Sequence, residues 1–540
     1  MTARSASSKV CSVESLVELR RELVGRGERL VHCHGCFDLV HPGHVRHLQH
    51  AKSLGERLLV SITADAFVNK GDGRPLFRES LRAENLAELS CVDYVVVSPS
   101  PTAVDLLERV RPDVYVKGAE YEGNEDPRFL AERETVERHG GRVVFSSGDV
   151  VFSSTALIGA LAGLGPAGED ADAFALRRVR EAHGLDAGGV GRTLAGIRGK
   201  RVVVVGESIV DSYVECAWPE LTGEAPMLSL RPIEKVAFDG GAAVVARHAA
   251  AMGAEPVLVT PLPRSVAAEA MVDRLESQGV TVEPIPTDSP LPEKERFLVG
   301  REKMVRLDRS RPIELDRRMR TRLVDVAASA AAGADAAVVT DYGLGVLGAR
   351  LTGELFATLR PLVGVLAGDI SGVRPSLLAM AGADWLSPSE RELRGCLGQA
   401  AGSLPVLGHE LLKRTGAKHA VVTMAGDGLV TFARRSATGS NDGHASRVAG
   451  DHLPALNKTP LDTLGCGDAL LALGALAMTT GLEALGAAFV GSAAAAVCGS
   501  RIGNHAVTPG EIVSVVQRLE AAPPTIVEPA AVSLSDRAAG

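Results

Sequence analysis

Residues 35 to 44 read Gly-Cys-Phe-Asp-Leu-Val-His-Pro-Gly-His, and a helical pattern follows over residues 45 to 54. The apolar run before this stretch predicts a strand that gives way to a helix, with His41 and His44 about one turn apart at the junction. Gly43 permits close approach of a ligand phosphate, and the start of the helix adds aligned backbone N–H groups. The stretch is therefore typical of a site that stabilises charge on the α-phosphate of a nucleotide.

A second phosphate-binding pattern lies downstream, where residues 462 to 468 read Asp-Thr-Leu-Gly-Cys-Gly-Asp before an Ala- and Leu-rich helical segment. Gly465, Cys466 and Gly467 can form a nest of backbone N–H groups around a phosphate. Transfer of a γ-phosphoryl group to a hydroxyl needs an aligned base, and we expect Asp468 to be that base. Two phosphate chemistries on one chain suggest consecutive steps.

The composition describes a multidomain protein without a broad basic surface. A length of 540 residues predicts two or more domains, and a formal net charge of −8 indicates neither nucleic acid nor anionic membrane as a partner. The eight cysteines are scattered and no basic, apolar leader precedes them, so we expect a cytoplasmic protein. Polar residues interrupt the apolar segment 470 to 498, which favours two buried helices over a membrane span.

Strand and helix patterns alternate along the chain, which predicts doubly wound parallel sheets. We expect four parts: a nucleotide-binding domain (1–160), a linker with some helix (161–197), a second α/β domain (198–520) and a disordered tail (521–540). The two domains show no internal repeat of one another.

Two other interpretations compete with phosphate binding near the amino end: a zinc or redox site at a cysteine pair, and a metal site on a row of histidines. Cys33 and Cys36 have CxxC spacing, but no second CxxC follows, and Cys36 lies inside the phosphate signature. Histidines also recur every three residues from position 41 to position 50, as in a metal stripe on a helix. The Pro-Gly pair at 42–43 instead places the first two histidines at the helix entrance, and His47 and His50 on its face.

With these residues in view, the N-terminal stretch resembles the HxGH signature of nucleotidyltransferases. The resemblance continues through further motifs, namely Lys70-Gly71-Asp72, Arg74-Pro75, Arg82, Val92-Asp93, residues 112–118 and residues 152–155. Together they look like the Rossmann-like adenylyltransferase domain that makes ADP-heptose from a heptose 1-phosphate, over about residues 28 to 160. His34 departs from this pattern, since relatives usually carry Asn before the Gly.

The resemblance implies a role for each matching residue. His41 and His44 would contact the nucleotide phosphates, and Lys117 would neutralise charge as pyrophosphate departs. Sugar phosphate would lie near Asp38, Lys70 and Arg74. The remaining nucleotide contacts would come from Gly35, Phe37, Gly43, Arg82, Ser153, Ser154 and Thr155, the last two capping a helix against the β- and γ-phosphates.

Motifs in the second half occur in the order found in ribokinase-like (PfkB) sugar kinases, over about residues 198 to 520. They are Val204 to Glu207, Asp211, residues 240–243, Asp341-Tyr342 with Gly345, Ser387-Pro388 with Glu392, Thr423 with Gly426 and Gly428, and the 462–468 stretch. Residues 224–226 and 304–308 bring the resemblance closest to heptose 7-phosphate kinases.

This second resemblance implies that Asp468 is the base and that Gly465, Cys466 and Gly467 form the anion hole. Asp211, Gly240, Gly241 and Asp462 would hold the sugar. Thr423, Gly426 and Gly428 would flank ATP, and Glu392 would organise magnesium. Four positions depart from the family pattern: Glu207 replaces Asp, Val244 and Ser389 replace Asn, and Leu344 replaces Lys. The order of the two domains is also expected to be reversed relative to the familiar bifunctional enzymes.

The sequence thus predicts a bifunctional enzyme that phosphorylates the anomeric hydroxyl of a sugar phosphate and transfers AMP from ATP to a sugar 1-phosphate. Mg²⁺ is expected at both sites, with ATP and sugar phosphates as ligands and a homodimer as the assembly. Two alternatives stay open. In the first, only the N-terminal half is active, using CTP or another nucleotide on a different phosphorylated alcohol, and the kinase half is degenerate. In the second, both folds bind sugar nucleotides as a sensor without turnover.

Overall fold

A computed structural model gives the fold of the chain in two compact units, residues 1–163 with 435–449, and residues 164–434 with 450–540. Each unit is described by itself. The structure describes residues 9–38, 40, 42–68, 75, 77–118, 126–146, 171–218, 220–221, 228–300, 302–399, 403–434 and 448–521.

The first unit is built on a five-stranded parallel sheet in the order β3-β2-β1-β4-β5. Its strands are β1 (Leu30–Gly35), β2 (Arg57–Thr63), β3 (Tyr94–Ser98), β4 (Val114–Gly118) and β5 (Arg142–Ser146). Its helices are α1 (Val13–Arg26), α2 (Pro42–Ser53), α3 (Glu79–Ala87), α4 (Val104–Val110) and α5 (Pro127–Arg138). Strands β2 and β3 are mostly apolar and buried, as expected for a sheet covered by helices on both faces.

The strand order reverses between β1 and β4, which are neighbours in the sheet. Ligands of open α/β sheets bind in the crevice at the carboxyl ends of the strands where such a reversal occurs. Residues 34 to 38 and Lys117 therefore lie where the sequence places the nucleotide.

The second unit contains a nine-stranded sheet in the order β12-β11-β6-β15-β16-β17-β18-β19-β20. These strands are β6 (Arg201–Gly206), β11 (Glu255–Pro263), β12 (Thr281–Thr287), β15 (Ala336–Asp341), β16 (Val365–Ile370), β17 (Trp385–Leu386), β18 (His419–Thr423), β19 (Leu429–Arg434) and β20 (Val448–Leu453). Pairing is parallel from β12 to β18 and antiparallel between β18 and β19.

A four-stranded sheet, β10-β7-β13-β14, stands beside the large one. It is formed by β7 (Ser208–Cys216), β10 (Pro232–Gly241), β13 (Glu293–Val299) and β14 (Glu302–Arg309). A two-stranded ribbon pairs β8 (Glu220–Leu221) with β9 (Leu228–Ser229). The sequence patterns did not predict these strands. Strands β10 and β14 are largely exposed and carry no apolar run, whereas β7 and β13 are mostly buried but include charged residues.

The helices of the second unit cover its large sheet. They are α6 (Ala171–His183), α7 (Ala187–Ile197), α8 (Ala242–Ala251), α9 (Val266–Ser277), α10 (Arg317–Ala331), α11 (Ala349–Leu359), α12 (Glu390–Leu397), α13 (Leu404–Thr415), α14 (Cys466–Met478), α15 (Ala484–Cys498) and α16 (Pro509–Ala521). Helices α6 and α7 fall in the stretch predicted as a linker, and their apolar residues join the core of this unit.

The apolar segment at 470–498 forms two separate buried helices, α14 and α15, as the sequence predicts. Among the helices in the described part of the chain, none is both long and apolar enough to span a membrane. The tail predicted at 521–540 falls outside the described residues beyond position 521.

Candidate active sites

The loop after β1 places an aromatic ring between a glycine and a histidine. Phe37 is buried with a φ of 45°, and its ring meets that of His44 edge to face, with 5.1 Å between the centroids. A Cβ on Gly35 would lie 3.1 Å from the Phe37 ring, so the absence of a side chain at position 35 makes room for this ring. Asp38 is also buried and accepts a hydrogen bond from the backbone N–H of Phe77, 3.3 Å away. The folded loop therefore brings the predicted site residues Gly35, Phe37, Asp38 and His44 together.

Lys117, near the end of β4, forms a buried ion pair with Glu132 of α5, with 2.8 Å between Nζ and Oε2. Glu132 also accepts hydrogen bonds from the Tyr115 hydroxyl and the Ala103 backbone N–H. Burial alone would raise the pKa of Glu132, but the charge and hydrogen bond of Lys117 lower it below its usual value. Glu132 thus orients the ammonium group at the switch point of the sheet.

His34 forms part of a chain of side chains in the same crevice. Its Nδ1 lies 2.8 Å from the Ser61 hydroxyl, and Nε2 of the fully buried His32 lies 2.7 Å from the same oxygen. Burial, reinforced by the charge of Lys117, lowers the pKa of His34 to about 4. The departure from the family pattern at position 34 therefore introduces a neutral imidazole.

Arg82 is predicted to contact nucleotide, yet its guanidinium is fully buried and holds the protein's own loops. It bonds to the carbonyl oxygens of Cys36, Thr63 and Phe77 and to the carboxylate of Asp65. A nucleotide contact would require exchange of one of these partners. As placed, Arg82 fixes the loop after β1, and its nucleotide-binding role stays a prediction.

Several predicted site residues cannot be placed. His41, Lys70, Arg74, Ser153, Ser154 and Thr155 lie outside the described residues. Gly43 lies in the first turn of α2, as its predicted role requires. The roles of all seven stay predictions.

In the second unit, Asp468 lies in the first turn of α14 and accepts a hydrogen bond from the Tyr342 hydroxyl, 2.5 Å from Oδ1. Burial, together with the negative charge of Asp211, raises the pKa of Asp468 to about 6. Such a carboxylate is mostly ionised at neutral pH and is a better proton acceptor than an exposed aspartate. This environment fits the predicted base.

Glycine residues shape the predicted anion hole before α14. Gly465 has a φ of 75°, and a Cβ there would lie 2.6 Å from Oδ1 of Asn504. Gly467 has open space where a Cβ would be. The thiol of Cys466 is turned toward carbonyl oxygens of Asp462 and Ala495, so Cys466 contributes its backbone to the nest.

Asp211 of β7 stands beside the glycine pair at the end of β10. It forms a 2.6 Å ion pair with Arg296 and accepts a 2.8 Å hydrogen bond from the Asn504 amide. A Cβ on Gly240 would lie 2.0 Å from the Asp211 carboxylate, and Gly241 has a φ of 65°. The predicted sugar-binding residues Asp211, Gly240 and Gly241 are thus in direct contact.

Asp462, predicted to bind sugar, is buried and already has four hydrogen-bond donors. Lys303 lies 2.5 Å from Oδ1, and the Tyr213 hydroxyl donates to Oδ2. The backbone N–H groups of Leu464 and Gly503 complete the set. As placed, Asp462 ties the four-stranded sheet to the loop before α14, and its sugar contact stays a prediction.

Glu392, predicted to organise magnesium, is the third residue of α12 and forms a capping box with Ser389. Its other oxygen accepts a 2.6 Å hydrogen bond from the backbone of Gly372. Nearby Asp369 has a buried oxygen, Oδ1, without a hydrogen-bond partner among the described residues. Burial and the charges of Glu392 and Asp468 raise the pKa of Asp369 well above its usual value.

A carboxylate oxygen without a hydrogen-bond partner, in the field of two other carboxylates, fits a cation better than Glu392 alone does. No group of three or more His, Cys, Asp or Glu side chains in the described part of the chain is arranged to hold a metal. Mg²⁺ commonly uses one or two carboxylates and takes its other ligands from water and substrate phosphates. Asp369 therefore fits this type of ion.

A cleft of about 600 Å³ lies between α12 and the loop after β18. Its lining includes Ser389, Arg391, Arg394, Thr423, Met424 and Ala425. Thr423 is thus placed beside an open cleft next to the capping box of Glu392. Gly428 has a φ of 87°, and a Cβ there would lie 2.1 Å from the Leu453 carbonyl oxygen, whereas Gly426 has open space.

Sequence reasoning gave no role to Glu132, Tyr342, Asp369, Arg296 or Asn504. Tyr342 stands inside a recognised motif, and Asp369 follows an apolar strand pattern, so both carried a signal in the sequence. Glu132, Arg296 and Asn504 carried none, because only the tertiary fold brings them to their partners.

Comparisons with known proteins agree with this architecture. Residues 32–138 match the family described as cytidylyltransferase-like, and residues 362–509 match the pfkB family of carbohydrate kinases. The two halves have a cytidylyltransferase-like fold and a pfkB-type, ribokinase-like fold. Both matched families are enzyme families. The cytidylyltransferase-like part precedes the pfkB-type part, and the predicted reversal of order relative to bifunctional enzymes is not borne out.

Curated relatives share the name bifunctional protein HldE. That of Syntrophotalea carbinolica is 43% identical over 138 residues, 25% of this chain and 27% of the relative. That of Geotalea uraniireducens is 41% identical over 140 residues, 26% of this chain and 28% of the relative. The aligned parts thus span about a quarter of these proteins. Phosphofructokinase-2 from Escherichia coli in complex with potassium has a TM-score of 0.49 and 16% identity, covering 60% of this chain and 99% of that one.

Proposed function

We propose that the chain is a bifunctional enzyme of nucleotide-sugar synthesis. The second half phosphorylates the anomeric hydroxyl of a sugar phosphate, most simply heptose 7-phosphate, with ATP. The first half transfers AMP from ATP to a sugar 1-phosphate, giving ADP-heptose and pyrophosphate. The name of the HldE relatives and the pfkB match support this pairing of activities.

The observation that carries the kinase proposal is the environment of Asp468. The Asp468 carboxylate accepts a hydrogen bond from Tyr342 and follows a glycine-rich turn at the start of a helix. A proton acceptor therefore lies beside backbone N–H groups that can bind a phosphate. The acceptor hydroxyl would lose its proton to Asp468 as it attacks the γ-phosphorus of ATP, and ADP would leave.

The transferase proposal rests on the crevice between β1 and β4. His44 lies at the start of α2 and Lys117 near the end of β4, so donors and a positive charge converge on the switch point. The sugar 1-phosphate oxygen would attack the α-phosphorus of ATP, and Lys117 would neutralise charge on the departing pyrophosphate.

Mg²⁺ is proposed as the cofactor of both reactions. In the kinase half Asp369, with Glu392 nearby, would hold the ion together with ATP phosphates. The ion would neutralise phosphate charge during transfer. The protein side chains orient it and the acceptor.

We further propose a cytoplasmic homodimer. No disulfide joins the cysteines in the described part of the chain, which suits a reducing compartment. Along the four-stranded sheet and its ribbon, Trp218, Ile233 and Val305 expose at least half of their side-chain surface. These side chains belong to one sheet and its connections, and exposed apolar side chains of this kind support an interaction surface.

A narrower function, in which only the transferase half turns over, has one observation in its favour. Leu344 is buried where the family resemblance implies Lys, so position 344 itself supplies no cation to the turn. Products from the purified chain, incubated with a panel of sugar phosphates and all four nucleoside triphosphates, separate the two functions by mass spectrometry. Sugar-dependent ADP release supports the bifunctional enzyme. Its absence, with nucleotide transfer intact, supports the narrower one.

A further inference from the structure

We propose that Tyr342 is a positioning residue for the Asp468 base, and that Glu207 holds the Tyr342 backbone where this contact requires it. The proposal rests on the kinase function proposed above and adds two residues to it. Neither residue has been given a role by the sequence motifs or by the comparisons.

The hydroxyl of Tyr342 selects which oxygen of Asp468 can act. It donates to Oδ1 over 2.5 Å, which leaves Oδ2 to accept the proton of the attacking hydroxyl. Burial and the charge of Asp468 raise the pKa of Tyr342 well above its usual value, so the phenol stays protonated and remains a donor. A donor to the ionised carboxylate also opposes the effect of burial on Asp468.

Glu207 fixes Tyr342 through the main chain. Its carboxylate accepts the backbone N–H of Tyr342 at 3.0 Å and that of Val346 at 3.4 Å, so it holds both ends of the turn after β15. Glu207 is fully buried directly after β6, which pairs with β15 up to Gly206 and Thr340. Aspartate, usual in relatives, is one methylene shorter and would not reach the same donors without movement of the turn.

Other charged and titratable groups act on Asp468 from each element around it. They are Asp211 of β7, Lys294 of β13, Asp369 of β16, and the thiols of Cys466 and Cys498 on α14 and α15. Behind Tyr342, burial and the charge of Asp341 raise the pKa of Glu207 to about 7. Removal of the phenol hydroxyl would remove a hydrogen bond that favours the ionised carboxylate, and protonation of Asp468 would become easier.

The test is the Tyr342→Phe variant of the full chain. We expect kcat for phosphoryl transfer to fall roughly 10- to 100-fold, since loss of alignment has effects of this size. KM for ATP should stay within about twofold, because the nucleotide cleft is not touched. Unchanged kcat would overturn the proposal. Nucleotide transfer by the other half gives an internal measure of intact protein.

A pH titration of the Asp468 carboxyl group tests the contact with Tyr342 without a measurement of turnover. In protein labelled with [13Cγ]aspartate, the carbon NMR signal of Asp468 is assigned by its loss in the Asp468→Asn variant. The midpoint of its titration with pH should move to higher pH in Tyr342→Phe. An unmoved midpoint contradicts the contact. A wild type without kinase turnover would sink the proposed kinase function, whereas this titration would still decide the contact.

Glu207→Asp tests the second half of the proposal. We expect a smaller fall in kcat than in Tyr342→Phe, and a double variant no slower than Tyr342→Phe alone, since both changes act through one contact. Effects that multiply would show that Glu207 does not act through Tyr342.

Discussion

At the scale of single residues, the buried pair of Lys117 and Glu132 shows how the fold prepares a charge for chemistry. Taking both ions out of water is costly, and the pair is kept because each partner is hydrogen-bonded in place. The sequence of β4 shows a lysine but does not show that it is buried and paired. The partner comes from α5, and only the fold brings it there.

We expect Glu132→Gln to destabilise the first unit by about 3–5 kcal/mol, because it leaves the Lys117 charge buried without its counterion. Hydrogen exchange of β4 peptides measures the loss of protection. Glu134→Gln is the matched control on the same helix, since Glu134 is 79% exposed and lies 4.0 Å from Arg138. Equal protection in the two variants would contradict the role given to Glu132.

A second residue-scale prediction concerns Gly240. An added methyl group would collide with the Asp211 carboxylate, so Gly240→Ala should raise KM for the sugar phosphate at least about tenfold and leave KM for ATP unchanged. Gly510→Ala, where a Cβ meets nothing within 4 Å, is the control. Steady-state kinetics of ADP release measure both, and an unchanged sugar KM would place the acceptor elsewhere.

At the scale of elements, Glu207 and the turn after β15 link kinase stability to pH. The pKa of Glu207 is raised to about 7 in the folded state, so the folded protein keeps a proton that the unfolded chain loses near pH 4.5. Stability therefore falls as pH rises between these values. The difference amounts to roughly 3 kcal/mol over the range.

Glu207→Gln should flatten this fall between about pH 5 and pH 7.5, although the amide lowers stability at every pH by losing one acceptor. Both tryptophans, Trp218 and Trp385, lie in the second unit, so tryptophan fluorescence during denaturant unfolding reports on that unit. A variant with the same slope as the wild type would show that Glu207 is ionised throughout.

The elements most accessible to sequence reasoning were those with strong apolar patterns. The apolar patterns at residues 29–33, 58–62 and 114–116 correspond to β1, β2 and β4, and the helical pattern at 317–331 corresponds to α10. Within the four-stranded sheet, β14 was missed because it is exposed along its whole length and lacks a buried face. Motifs located Asp468 and Asp211, but their partners Tyr342 and Arg296 depend on strands far apart in sequence.

At the scale of the whole molecule, the described residues of each proposed phosphate site come from a single unit. The proposed transferase crevice draws on β1 and β4, and the proposed kinase site draws on both sheets of the second unit and on α14. Among the described residues, neither site takes a group from the other unit. The two activities should therefore be separable by single substitutions.

The most direct test of this account compares Asp468→Asn and His44→Ala in the full chain, with products from ATP and sugar phosphates followed by mass spectrometry. The account predicts that Asp468→Asn stops formation of the sugar bisphosphate and leaves nucleotide transfer intact, whereas His44→Ala does the reverse. If either variant retained its own step near the wild-type rate, or lost both steps while folded, two independent phosphate sites on one chain would be contradicted.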